Sequence, residues 1–127
     1  MAYRINKNQF EELAEKALHS IPAKFLSRFK NIAIIVEDYP SDDIVKSLQI
    51  RREELLGLFV GQTYEHQNSF FSMPSPYPDT IFIYQRNIED ICKTEEDIFE
   101  EIRATILHEV GHYFGLSEEE LQKYEKH

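Results

Sequence analysis

His108 and His112 stand four residues apart, with Glu109 directly after the first, and this spacing constrains the chain more than any other feature. Only an α-helix places residues i and i+4 one above the other on a common face. The run His108-Glu109-Val110-Gly111-His112 must therefore be helical if its histidines are to act together. Two stacked imidazoles can supply two ligands to a tetrahedral cation, zinc above all. The carboxylate beside them can reach a water on that cation and act as general base. On this reading His108 and His112 are metal ligands and Glu109 is the catalytic residue.

The flanks support a helix over residues 94–114. Thr94 followed by Asp97 resembles a capping box, and Glu95 and Glu96 favour the positive helix N-terminus. Steps of about 100° put Ile98, Phe99, Ile102, Ile106, Leu107, Val110 and Phe114 on one arc, with both histidines outside it. Glu109 falls at the border, where partial desolvation would raise its pKa toward a useful range. Gly115 ends the helix and Leu116 suits the position after a Schellman turn. Ser117 opens another helix, 118–126, with Glu120 as its capping-box partner. That leaves Glu118, six residues beyond His112, free to return across the turn as third ligand; Glu119 is the alternative.

The rest of the chain reads as scaffold. Asn6 caps a helix carrying Phe10, Leu13, Ala14, Ala17 and Leu18 on one face. Phe25, Leu26 and Phe29 suggest a short helical turn after Pro22. Residues 32–36 are apolar on both faces and read as an interior strand. Residues 41–48 suggest a short helix or turn, 55–60 a strand, 64–71 its hairpin partner, and 72–78 a proline-rich loop. Residues 80–84 return as a strand. Either strand 55–60 or strand 80–84 could receive an extended peptide by backbone pairing. Tyr77, Tyr84, Arg86 and His66 are candidates for stabilising a developing oxyanion. Three of them also have an ordinary reading: Tyr84 as a strand residue, Arg86 in an ion pair, His66 exposed. Helices flanking a run of strands give an α+β domain, a small mixed sheet packed on the N-terminal helix and the HExxH helix.

The stretch from His108 through Gly115 to Glu118 resembles the HExxHxxGxx(D/E) signature of the small bacterial zincin-like, or minimal metalloprotease, family. The resemblance extends to a helix from Phe10 to Leu18, to Ile32 through Pro40, to Leu55-Leu56-Gly57-Leu58 and to Ile81-Phe82-Ile83-Tyr84-Gln85-Arg86, in the family's usual order, and so covers nearly the whole chain. Where that family more often carries Asp, Glu118 adds a methylene. The resemblance implies a zincin-like fold, bound zinc and peptide-bond hydrolysis. Metzincins share the pattern as far as Gly115, but they carry His where Glu118 stands and need a Met-containing turn after the helix. Residues 116–127 contain no Met, so that reading is set aside.

A chain of 127 residues suits a single domain, 1–127, with a modest core. Its net charge of −9 argues against nucleic acid or an anionic membrane as partner. The lone Cys92 suits a reducing cytoplasm and reads as a small apolar residue rather than a nucleophile. The first six residues are too polar for a secretory signal, and residues 32–36 are far too short to span a bilayer. The expectation is a cytoplasmic, monomeric zinc metallopeptidase acting on a peptide or protein substrate. Three alternatives stay open: a non-catalytic zinc-binding domain, a regulatory HExxH protease with one dedicated partner, and hydrolysis of a non-peptide amide.

Overall fold

The structure is a computed structural model that describes residues 3–29, 31–61 and 79–125. The expected hairpin partner at 64–71 and the proline-rich loop, with His66 and Tyr77, lie outside those residues. Helix α1 (Lys7–His19) starts where Asn6 Oδ1 accepts the Gln9 N–H at 2.8 Å and Gln9 Oε1 accepts the Asn6 N–H at 3.4 Å. This reciprocal cap satisfies two donors that the first turn would otherwise leave unpaired. Phe10, Ala14, Ala17 and Leu18 form its buried face. Helix α2 (Ala23–Leu26) follows Pro22, strand β1 (Ile32–Glu37) comes next, and Ser41 caps α3 (Asp42–Leu48). A 3-10 turn (Arg52–Glu54) leads into β2 (Gly57–Val60).

Strand β3 (Asp79–Tyr84) is the centre of a three-stranded mixed sheet of order β1-β3-β2. It runs parallel to β1, with Ile34 opposite Ile81, and antiparallel to β2, with Phe59 also opposite Ile81. The expectation that residues 32–36 form an interior strand is corrected here. Among the described residues β1 is an edge; only Val36 in it is fully buried, and Ile35 is 43% exposed. An apolar run shows that a strand can be covered on both faces, but not that it has a neighbour on each side. The interior position falls to β3, whose Ile81 and Ile83 are fully buried.

Helix α4 (Gln85–Asp90) continues directly from β3 and buries polar side chains. The Glu89 carboxylate accepts hydrogen bonds from Arg4, Ile5 N–H, Gln85 and Arg86, so no lone buried charge is left. Asn87 Nδ2 donates to the carbonyls of Arg52 (2.7 Å) and Leu55 (2.8 Å), which fixes the turn that launches β2. Helix α5 (Glu95–Tyr113) packs on α1 and reaches β2 and β3; α6 (Glu118–Glu125) packs on α5. Ile98, Ile102, Ile106 and Val110 of α5 are fully buried. Each such side chain contributes roughly 1.5–3 kcal/mol by leaving water. Among the described residues no helix is long and apolar enough to cross a membrane.

Candidate metal centre

Helix α5 carries both histidines on the face its apolar stripe leaves free. Thr94 Oγ1 accepts the Asp97 N–H at 3.0 Å, as the capping pattern predicts. The reciprocal bond slips one residue: Asp97 accepts from the Lys93 N–H, at 3.1 Å. Fourteen residues further along, His108 Nδ1 meets the Ala104 carbonyl at 2.7 Å. A carbonyl can only accept, so Nδ1 carries the hydrogen and Nε2 points outward. Held this way, a histidine presents one fixed nitrogen to a cation.

The turn after α5 aims a third group at the same place. Gly115 takes φ +73°, Leu116 N–H donates to Gly111 O at 2.9 Å, and Gly115 N–H donates to His112 O at 3.0 Å. These two bonds are the Schellman pattern, which reverses the chain in the fewest residues. Ser117 and Glu120 then cap α6 reciprocally, each bond 3.1 Å long. Two residues that sequence reasoning missed dock α6. Leu121 is fully buried against Gly111; a Cβ at Gly111 would lie 2.2 Å from Leu121 Cδ2. Buried Arg103 donates to the carbonyls of Tyr124 (2.7 Å) and Glu125 (3.1 Å) and to Ser20 Oγ (2.9 Å). An arginine within an apolar stripe is the one signal that could have revealed it.

Docked so, Glu118 Oε2 lies 3.0 Å from His108 Nε2 and Glu118 Oε1 lies 3.4 Å from His112 Nε2. Glu119 is exposed, and it is the Glu118 carboxylate that reaches both imidazoles. Bonding to His112 first, and the nearness of His108, hold the Glu118 pKa below its ordinary value. Desolvation alone would lower the His108 pKa, but the Ala104 carbonyl and Glu118 outweigh it and the net shift is upward. Both shifts say the same thing: this pocket favours positive charge between the imidazoles and the carboxylate. Among the described residues no three His, Cys, Asp or Glu side chains are arranged so as to hold a metal ion. Here the carboxylate closes directly on the imidazoles. The donor chemistry nevertheless fits a zinc ion. Ligand atoms about 2.0–2.1 Å from a tetrahedral ion lie about 3.3 Å apart, close to the separations seen.

Glu109 reaches toward the sheet while sharing a cavity with His112. Its Oε1 accepts the Phe59 N–H of β2 at 2.7 Å. Burial raises its pKa, against the opposing pull of the Phe59 N–H, His112 and His108. Strand and helix stay in step here because two strand residues rise about 6.6 Å and four helical residues about 6 Å. Thus Gly57 lies over Thr105, Phe59 over Glu109 and Gly61 over Tyr113. A Cβ on Gly57 would come within 2.5 Å of Thr105 Cγ2, so glycine permits the approach. Phe29 braces the junction, its ring centroid 5.7 Å from Phe59 and 5.0 Å from Tyr113. A cavity of about 310 Å³, lined by Phe59, Gly61, Glu109, His112 and Tyr113, opens at this point. A second cavity, of about 360 Å³, lies between α2 and α6 and includes no HExxH residue.

The remaining candidates separate clearly. Tyr84 is buried, and its pKa is pushed up to about 12 first by that burial and then by the charges of Glu37 and Glu109. Arg86 is engaged elsewhere, 2.8 Å from Glu89 and 3.6 Å from Asp38. Burial first, then nearby acids, push the Cys92 thiol up to about 11, which suits an inert core residue. Asp42 and Asp43 sit in the first turn of α3, where the macrodipole accounts for them.

A mixed sheet with an HExxH helix laid along it, and a third carboxylate returned across a glycine turn, defines the zincin-like class of α+β domains. The chain belongs to the zincin-like metallopeptidase family, whose model matches residues 29–127. Among solved structures it is similar to a conserved hypothetical protein from Thermo thermophilus. The two share 20% identity at a TM-score of 0.57, over 86% of this chain and 94% of that one. At that identity the likeness is one of fold. No curated protein matches the chain.

Proposed function

We propose that the protein is a zinc-dependent metallopeptidase, with His108, His112 and Glu118 as metal ligands and Glu109 as general base. The observation that carries this reading is the convergence of His108 Nε2 and His112 Nε2 on one carboxylate, beside a glutamate with a raised pKa. Bound there, zinc would supply Lewis acidity, polarising a scissile carbonyl and acidifying a water. Glu109 would be the group to accept a proton from the attacking water and return it to the leaving amine. Its bond to the Phe59 N–H keeps the carboxylate in one orientation, and burial makes it a stronger base than a surface glutamate. Of the two strands expected to receive substrate, β3 has neighbours on both sides, whereas β2 keeps an outer edge among the described residues. An extended peptide along β2 would lie next to Glu109. The acidic surface suits a peptide partner rather than nucleic acid or an anionic membrane. We place the protein in the cytoplasm, as a monomer.

The test is mass-spectrometric reading of a diverse peptide library after exposure to zinc-loaded protein, with Glu109→Gln purified identically. Cuts made by the wild type and missing from Glu109→Gln are expected. Equal cutting by both proteins removes Glu109 as base, and no cutting by folded, zinc-loaded wild type counts against a peptidase.

A further inference from the structure

Helix α6 presents two carboxylates to the histidines. Glu118 opens the helix and Glu125 closes it, seven residues later, which is two turns and about 20° away from the same face. Leu121, between them, seats that face on Gly111. Glu125 Oε1 lies 3.3 Å from His108 Nε2, hardly further than Glu118 Oε2 at 3.0 Å. About 3.3 Å is the spacing of neighbouring ligand atoms on a tetrahedral zinc. A carboxylate that only anchored the far end of a substrate would stand further from the ligand nitrogen. Among the described residues His108 is also the ion-pair partner of Glu125.

The backbone of Glu125 is fixed from below. Buried Arg103 donates to the carbonyls of Tyr124 and Glu125 and is itself tied to Ser20 at the end of α1. The last turn of α6 is therefore held, while the Glu125 side chain, 37% exposed, keeps room to turn outward. Motion at this point belongs to the side-chain torsions and needs no undocking of the helix.

We propose that Glu125 is a fourth protein donor of the metal centre, one that occupies the remaining coordination position and yields it to substrate by swinging out. This rests on the zinc reading above. A catalytic zinc needs a position open to water or substrate, whereas four protein donors make a closed site. Glu125 thus sets how open the centre is: it strengthens metal binding and competes with whatever enters.

Cobalt(II) reports this directly, because its visible absorption changes with the donor set. Cobalt-loaded wild type, Glu125→Gln, Glu125→Ala and Glu119→Gln would be compared, then titrated with acetohydroxamate, a small bidentate ligand. Glu119→Gln makes the same charge change on the same helix without touching the histidines. The expected result is an altered spectrum for both Glu125 variants and acetohydroxamate affinity about tenfold tighter than wild type, with metal affinity about tenfold weaker. Glu119→Gln should match the wild type throughout. If all four proteins take up cobalt with superimposable spectra and equal acetohydroxamate affinity, Glu125 is not a donor, and the zinc reading survives. If the folded wild type takes up neither cobalt nor zinc, both proposals are overturned.

Discussion

Gly111 shows how much a single position can demand. In HExxH it is one of two unspecified residues, and the sequence gives no reason for a glycine inside a 19-residue helix, where it is unfavourable relative to Ala. The reason lies outside the helix: Leu121 fills the space a Cβ would need. Gly111→Ala should therefore push α6 away, cost about 1–3 kcal/mol through overpacking, and weaken zinc binding as Glu118 is displaced. Gly115→Ala is the contrast. Nothing lies within 4 Å of its would-be Cβ, so only the backbone strain at φ +73° applies, about 1–2 kcal/mol. Denaturation midpoints and zinc titrations on the two variants separate these effects; equal zinc affinity in Gly111→Ala and wild type would contradict the docking argument. The candidates His108, Glu109, His112 and Glu118 could be named from spacing, and the structure brings Glu118 to both imidazoles. The docking roles of Arg103 and Gly111, and the approach of Glu125 to His108, could not, since each depends on a contact between separate elements.

Among the elements, α6 is the one on which the site depends. It has a single buried residue, Leu121, and so too little apolar surface to fold alone; its place is set by the Gly115 turn, Gly111 and Arg103. Arg103→Met should leave the carbonyls of Tyr124 and Glu125 without their donor and cost about 2–3 kcal/mol. Zinc affinity should fall with it, by about tenfold, since the helix that carries Glu118 loses an anchor. Stability reduced with zinc affinity untouched would mean that α6 is held well enough without Arg103. The strands teach a different lesson. Composition distinguished strand from helix at 32–36 and 80–84, yet assigned the interior position to β1 when β3 holds it. Pairing order is a long-range property, and a run such as Ile32-Ala33-Ile34-Ile35-Val36 carries no record of its neighbours.

At the scale of the whole molecule, 23 acidic residues against 14 basic ones would repel one another if they were not dispersed or paired. Most are on the surface, but Glu89 is fully buried and joins the N-terminal segment to α4 through Arg4 and the Ile5 N–H. Burial alone would raise its pKa; four hydrogen-bond donors outweigh it and hold the pKa below the ordinary 4.5. A carboxyl with a depressed folded-state pKa contributes stability that is present above its unfolded value and lost as pH falls through the folded one. Stability should accordingly be flat near neutrality and drop as pH falls below about 4.5. Glu89→Gln should cost about 1–3 kcal/mol at pH 7, because a neutral amide in that buried place cannot accept from all four donors, and should flatten the acid limb. Denaturant midpoints from pH 3 to 8 (about five points) give both results; an unchanged acid limb in Glu89→Gln would place the acid sensitivity elsewhere. The α+β class was legible at this scale, whereas helix α4, which takes over from β3 at Gln85, was not expected. The buried polar network was not legible either, because Gln85, Asn87 and Glu89 look like surface residues until their partners are known.

The central claim is that His108, His112 and Glu118 hold one zinc ion beside Glu109. Competitive zinc titration of metal-free protein against a chromogenic chelator tests it most directly, on wild type, His112→Ala, Glu118→Ala, Glu119→Ala and Glu109→Gln. One zinc per chain is expected for the wild type, with affinity retained in Glu119→Ala and Glu109→Gln and reduced at least about a hundredfold in His112→Ala and Glu118→Ala. A wild type that takes up no zinc, or a Glu118→Ala that binds it as tightly as wild type, would contradict the account.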